Sequence, residues 1–186
     1  MRCFFVAPFV AILLSLHTGP AAAAPQDDAG FTARVLVLTN AERQNAGLPP
    51  LALNAQLANA AQSYSQVLAA TGCFEHTCGS VPDFGDRDAQ AGYTGWSTIG
   101  ENIAAGYPTP EAVVSGWMAS PGHRANILSS RYTEIGIGVV SGAGKLGTYW
   151  TQEFGSRTGA ELDFAPLPNQ ADEASEPDDG SAGDDE

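Results

Sequence analysis

The chain has 186 residues, and its 21 acidic against 8 basic side chains give a formal net charge of −13. The excess is uneven: Glu161 to Glu186 holds ten acids and no base, whereas Ala29 to Gly159 holds nine acids against seven bases. That nearly neutral stretch carries no basic stripe, which argues against nucleic acid as a partner, and its length suits one core of ordinary size.

Met1 and Arg2 precede an apolar run from Phe4 to Leu16 and small residues from Gly19 to Ala24. That order of charge, apolar core and small residues predicts a secretory signal over residues 1–24, with cleavage after Ala24 or one residue earlier. The run is too short for a convincing membrane span, and no later stretch approaches that length. The expectation is an exported chain, periplasmic or extracellular, with no transmembrane segment once the signal is removed. Cys3 stands before the apolar core, which argues against a lipoprotein anchor.

The folded domain is placed at residues 25–159. Phe31, Val35, Leu38, Glu42 and Arg43 follow a helical period that ends near Gly47, and Pro49-Pro50 forces an extended link. A second helix opens on Asn54 as N-cap, carries Leu57, Ala61, Tyr64 and Leu68 as one stripe, and stops at Gly72. Cys73 to Gly100 lacks periodicity and reads as a long irregular segment with one short helix near Arg87 to Ala91, the kind of loop that tends to carry a site. Thr109-Pro110-Glu111 starts a third helix with Val113, Val114, Trp117 and Met118 inward, and Ser120-Pro121 repeats the start signal for a short helix through Leu128.

The period then changes to two. Ile135, Ile137 and Val139 alternate with Gly136, Gly138 and Val140, and a Gly-rich turn leads into Thr148 to Phe154, a hairpin whose glycines predict close packing on one face. Helices first and strands last, without βαβ alternation, predict an α+β fold with helices flanking a small antiparallel sheet. Residues 160–186 read as a disordered acidic tail, too poor in apolar side chains to offset chain entropy. A solubilising role is favoured for it over a cation-binding or partner-binding one.

Removing the signal leaves Cys73 and Cys78, an even count in a compartment that permits oxidation, so a disulfide is expected, with a thiolate zinc site as the weaker reading. The loop they close contains His76. The other unusual groups are Glu101 in Gly100-Glu101-Asn102-Ile103 and His123 in Pro121-Gly122-His123-Arg124. By spacing alone, two scattered histidines are more often satisfied polar residues than metal ligands. Gln152 and Glu153 sit where they could reach the same rim, with a solvent-facing strand position favoured for Glu153.

The motifs Asn40-Ala41-Glu42-Arg43, Gly47-Leu48-Pro49-Pro50-Leu51, Phe74-Glu75-His76, Gly100-Glu101-Asn102-Ile103-Ala104, Trp117 to Leu128, Tyr132 to Gly138 and Tyr149-Trp150-Thr151-Gln152 occur in one fixed order. In this the sequence resembles the CAP superfamily (cysteine-rich secretory proteins, antigen 5 and pathogenesis-related 1), in its compact bacterial form, the SCP domain. The resemblance implies an α-β-α sandwich. It also implies a cleft of two His and two Glu able to hold a divalent metal such as Zn²⁺. His76 and His123 match the histidines and Glu101 the first glutamate, while Ser120 stands at the second glutamate's position. These three residues are thus the candidates for any catalysis and the two histidines the candidate metal ligands, with Glu101 orienting an imidazole or taking a proton from metal-bound water. No cofactor is certain. The favoured function is a non-enzymatic binding module for a small apolar, lipid or cell-envelope ligand. A metal-assisted hydrolase (peptidase or esterase) using the same cleft is the alternative, and a structural envelope protein the third reading.

Overall fold

The computed structural model describes residues 28–157. The expected signal and acidic tail lie outside the described residues. The elements in chain order are α1 (Asp28–Asn45), β1 (Ala52–Leu53), α2 (Ala55–Thr71), α3 (Phe84–Gln90), β2 (Trp96–Ala105), α4 (Pro110–Ala119), α5 (Pro121–Ile127), β3 (Glu134–Ala143) and β4 (Gly147–Arg157).

Local chemistry sets most of these bounds. Asn54 caps α2 by accepting from the amides of Gln56 (3.0 Å) and Leu57 (3.1 Å), and Gly72 ends it in the left-handed region at φ +69°. Thr109 caps α4 through its hydroxyl and the Ala112 amide, 3.2 Å away, with Pro110 in the first turn. Ser120 occupies the N-cap of α5, but its hydroxyl makes no capping bond there.

The sheet order is β1-β3-β4-β2. β3–β4 and β4–β2 are antiparallel, and the two-residue β1 pairs parallel with β3, so the expected antiparallel sheet is mixed at one edge. The segment expected to be irregular as far as Gly100 already becomes strand at Trp96. Gly100, Glu101 and Asn102 interrupt that strand's pattern, and only its pairing with β4 over Trp96–Ala105 reveals it.

Helices cover both faces, which gives three layers. On one side α1, α4 and α5 cover Val35, Val113, Trp117, Ile135, Ile137, Val139, Trp150 and Phe154 in a continuous apolar core. Buried Arg43 binds this layer together by donating to the carbonyls of Pro49 (2.9 Å), Ile127 (2.8 Å), Ser129 (2.8 Å) and Tyr132 (3.3 Å). On the other side α2 lies directly against β3. A Cβ on Gly136 would stand 2.0 Å from the Leu57 backbone and one on Gly138 2.3 Å from that of Ala61, so the helix backbone rests on the strand as the glycine pattern predicts.

β2 is the edge strand beside the candidate site, and its alternate carbonyls are capped by side chains. Tyr132 OH donates to Ile99 O at 3.1 Å, Asn126 Nδ2 to Glu101 O at 3.0 Å and Trp117 Nε1 to Ile103 O at 3.3 Å. This covers an edge that would otherwise template pairing with another chain and locks α4 and α5 against β2.

Candidate functional site

Cys73 and Cys78 form a disulfide that closes the loop containing Phe74 and His76. Tyr64, from the α2 stripe, fixes this loop from beneath by donating its hydroxyl to Glu75 O at 2.5 Å. The loop then hangs over the end of β2. His76 Nδ1 meets Glu101 Oε1 at 2.7 Å, which leaves Nε2 as the ring nitrogen able to meet a ligand. The hydrogen bond to Glu101 is the main reason that the His76 pKa rises, with burial opposing it.

Glu101 is nearly inaccessible, and its second oxygen accepts from Arg87 Nη2. Arg87 also donates Nη1 to His76 O (3.1 Å) and Pro82 O (2.7 Å), and its guanidinium lies 3.5 Å from the centre of the Tyr64 ring. The His76–Glu101 pair is therefore held by a buried cation stacked on an aromatic face.

His123 approaches from the other side of the β2 edge, in the first turn of α5. Its carbonyl accepts from Asn102 Nδ2 at 3.1 Å, and Asn126 Nδ2 donates to Asn102 Oδ1 at 2.9 Å, so two asparagines tie α5 to the strand. Burial and the nearby His76 charge both lower the His123 pKa. The two imidazoles are thus near enough that a charge on one opposes a charge on the other.

Beside His123 lies a hollow of about 270 Å³ lined by Phe74, Ile103, Ala104, Ala105, Tyr107, Gly116, Trp117, Ser120 and His123. Phe74 and Tyr107 are 45% and 36% exposed, so its mouth is aromatic and open.

Two candidates fall elsewhere. Gln152 does not line the hollow: its Nε2 donates to Thr39 Oγ1 at 2.9 Å, and its Oε1 accepts at 3.1 Å from Asn102, the same side chain that bonds the His123 carbonyl. Glu153, expected at a solvent-facing position, is fully buried. The reason is topological: β4 is an interior strand with helices on both faces, so neither parity of its side chains meets water. Arg87, Asp88 and the two asparagines are site residues that sequence reasoning missed. A buried arginine on a helix too short to show a period leaves no signal in one sequence.

A metal can be weighed against this donor set. Among the described residues no group of three or more His, Cys, Asp or Glu is arranged to hold an ion, Cys73 and Cys78 are oxidised, and a serine, Ser120, stands where the family resemblance implies a second glutamate. The set does not fit a tight, closed metal site. What remains is a pair of imidazoles beside an apolar hollow.

A profile of the cysteine-rich secretory protein family (CAP) matches residues 36–154. The chain is 39% identical over 137 residues to the Bacillus subtilis protein YkwD, covering 74% of this chain and 51% of that one. It is 34% identical to the B. subtilis membrane protein YlbC over 65% of this chain and 33% of that one. It thus spans about half, and about a third, of these relatives. Among solved structures, an extracellular SCP-domain protein from Bacillus anthracis superposes with a TM-score of 0.66 at 31% identity, covering 75% of this chain and 45% of that one. An outer surface protein from Borrelia burgdorferi shares the fold at a TM-score of 0.65 and 19% identity, over 71% of this chain and 96% of that one. With its helices on both faces of the sheet and its motifs lying within the matched span, the chain belongs to the cysteine-rich secretory protein (CAP) family, in the bacterial SCP-domain form.

Proposed function

We propose that this protein is an exported binding module that takes the apolar part of a small lipid-like or envelope-derived ligand into the hollow beside His123 and does not convert it chemically. The observation that carries this reading is the hollow itself. Ile103, Ala105 and Trp117 wall it, and two aromatic rings are left exposed at its mouth, where uncovered apolar surface marks a binding site. At about 270 Å³ it sits just below the roughly 300–1,000 Å³ of ordinary ligand pockets, so it accommodates a ring or short chain rather than a whole drug-sized molecule. His123 and Ser120, which line it, supply a polar end to orient the head group. Export is supported by the extracellular SCP-domain relative; among the described residues no helix is long and apolar enough to cross a membrane.

Weak Zn²⁺ binding by His76 and His123 belongs to the same reading, at micromolar affinity or poorer, because two imidazoles leave most of the coordination sphere to water. Calorimetric titration checks it: heat that disappears in His123→Ala supports the site, and no heat removes it.

The ligand is tested by native mass spectrometry of the protein purified from an exporting host. A co-purified apolar molecule that is lost from Ala105→Phe, which puts a ring into the hollow, supports binding. Stoichiometric metal with chelator-sensitive turnover in a hydrolysis screen would replace this reading with a metal-assisted hydrolase.

A further inference from the structure

Beneath the cleft, the α2 side of the sheet buries three carboxyls around one guanidinium. Glu101 is satisfied on both oxygens, by His76 and Arg87. Glu153 is its cross-strand partner on β4, with no exposure and no hydrogen bond to either oxygen. Asp88, on α3, is also fully buried with both oxygens lacking a donor. Arg87 Nε has no acceptor, and its Nη2 stands 3.6 Å from Glu153 Oε1, beyond hydrogen-bonding distance.

A buried carboxylate without a donor is costly unless it is neutral. If all three acids were ionised against Arg87, two negative charges would be uncompensated, and two protons cancel them. Burial first, then the Glu101 and Asp88 charges, push the Glu153 pKa far up. A hydrogen bond between Glu153 and Glu101 exists only when a proton lies between them. Burial likewise raises Asp88, to about 7, against the opposing pull of Arg87.

We propose that Asp88 and Glu153 form a proton-loaded latch: while both carry protons, α3 and the His76 loop are held against the sheet, and loss of the Asp88 proton as pH rises loosens them. Arg87 is the mechanical link. It binds the carbonyls of His76 and Pro82 and one oxygen of Glu101, and a newly charged carboxylate on the adjacent residue competes for that guanidinium. The seven-residue α3 is too short to persist without such contacts.

The charged and titratable neighbours are few. Asp88 faces Arg87 of its own helix, Glu101 from β2 and Tyr93 from the loop after α3. Glu153 faces Glu101, Asp88, Arg87 and, from α2, Tyr64. His76 acts on them through Glu101. A hollow of about 330 Å³ between α2 and α3 is lined in part by Tyr64 and by Arg87, the residue next to Asp88. The latch does not depend on what the cleft binds, and its test reads no ligand.

That test follows the side-chain carboxyl carbons of the full chain by NMR between about pH 5 and pH 9, together with amide-exchange protection over residues 73–95. The expected result is that Asp88 ionises near neutrality, Glu153 stays neutral beyond it, and protection falls about tenfold or more across the Asp88 titration. Asp88→Asn, which mimics the protonated acid, should keep its protection throughout. An Asp88 already ionised at the acid end, or the same loss of protection in Asp88→Asn, overturns the proposal. Should Asp88→Asn fail to fold, the carboxyl titration of the unaltered chain decides alone.

Discussion

On the side covered by α1, α4 and α5, the strands present Ile135, Ile137, Val139, Trp150 and Phe154, and burial of apolar surface does the holding. On the α2 side the same strands present Gly136 and Gly138 at one end and Glu101 and Glu153 at the other. Helix and strand touch backbone to backbone over the glycines. Towards β2 the space is filled by Tyr64 and Arg87, stacked on each other. The apolar part of the first face is non-directional and yields to substitution by degrees. The second is set by contacts that are either made or lost, and the candidate site grows from it.

The largest expected effect breaks that comparison at the glycines. In Gly136→Ala the new Cβ meets the Leu57 and Ala58 backbone at 2.0–2.4 Å, and a helix cannot retreat there without uncovering its stripe. A loss above about 5 kcal/mol is expected, a large part of the total for such a domain, so little soluble folded protein should be recovered. On the opposite face Ile137→Val should cost about 1 kcal/mol. Urea denaturation compares the two, and equal costs would mean that the faces do not differ as described.

Arg87 comes next. Arg87→Ala strips the guanidinium from Glu101 while leaving that carboxylate buried, and removing one member of a buried pair costs about 3–5 kcal/mol. Because Arg87 also donates to His76 O, the His76 ring signal should broaden or shift by NMR even where the variant folds. A loss below about 1 kcal/mol would show that the pair behaves like an exposed one.

The disulfide is a smaller effect. Replacing both Cys73 and Cys78 by Ser reopens a short loop, for which chain entropy gives about 2 kcal/mol. The bonds from Tyr64 to Glu75 O and from Arg87 to His76 O should keep the loop near its place. Thermal unfolding measures the loss, and retained contact between His76 and Glu101 separates a staple from a scaffold that positions the ring.

Much of this was legible where one residue type answers to one local requirement. Asn54, Gly72 and Thr109 announced helix ends, the alternation from Ile135 to Val139 announced a strand, and Gly136 with Gly138 announced a close approach. The family's ordered motifs singled out His76, Glu101 and His123. β2 was not legible, because its inward residues alternate Ile99, Glu101 and Ile103 with Gly100 and Asn102 and carry no plain period. Glu153 was misplaced for a related reason: alternation shows which residues share a face, but only the sheet order shows that helices cover both faces of β4. Arg87 and Asp88 gained their roles solely from the neighbours that folding brings to them.

The smallest effects are those of the imidazoles, and they have opposite signs. The bond to Glu101 raises His76, so its contribution is complete below the unfolded value near 6.5 and is lost as pH rises through the higher folded value. Burial, then the His76 charge, lower His123. Its contribution is present above the unfolded value and lost as pH falls through the lower folded one. His76→Ala should therefore flatten the alkaline side of the stability profile and His123→Ala the acid side, each by less than about 1 kcal/mol because the His76 side chain is half exposed. Asp88 tilts the profile in the same sense as His76 but in a lower window, since an acid raised to about 7 loses stability between its unfolded and folded values. Measured in an Asp88→Asn background, the His76 slope should persist and the slope below it should shrink to the part that Glu153 carries. If His76→Ala also leaves the His123 titration unmoved, the two rings do not share a cleft.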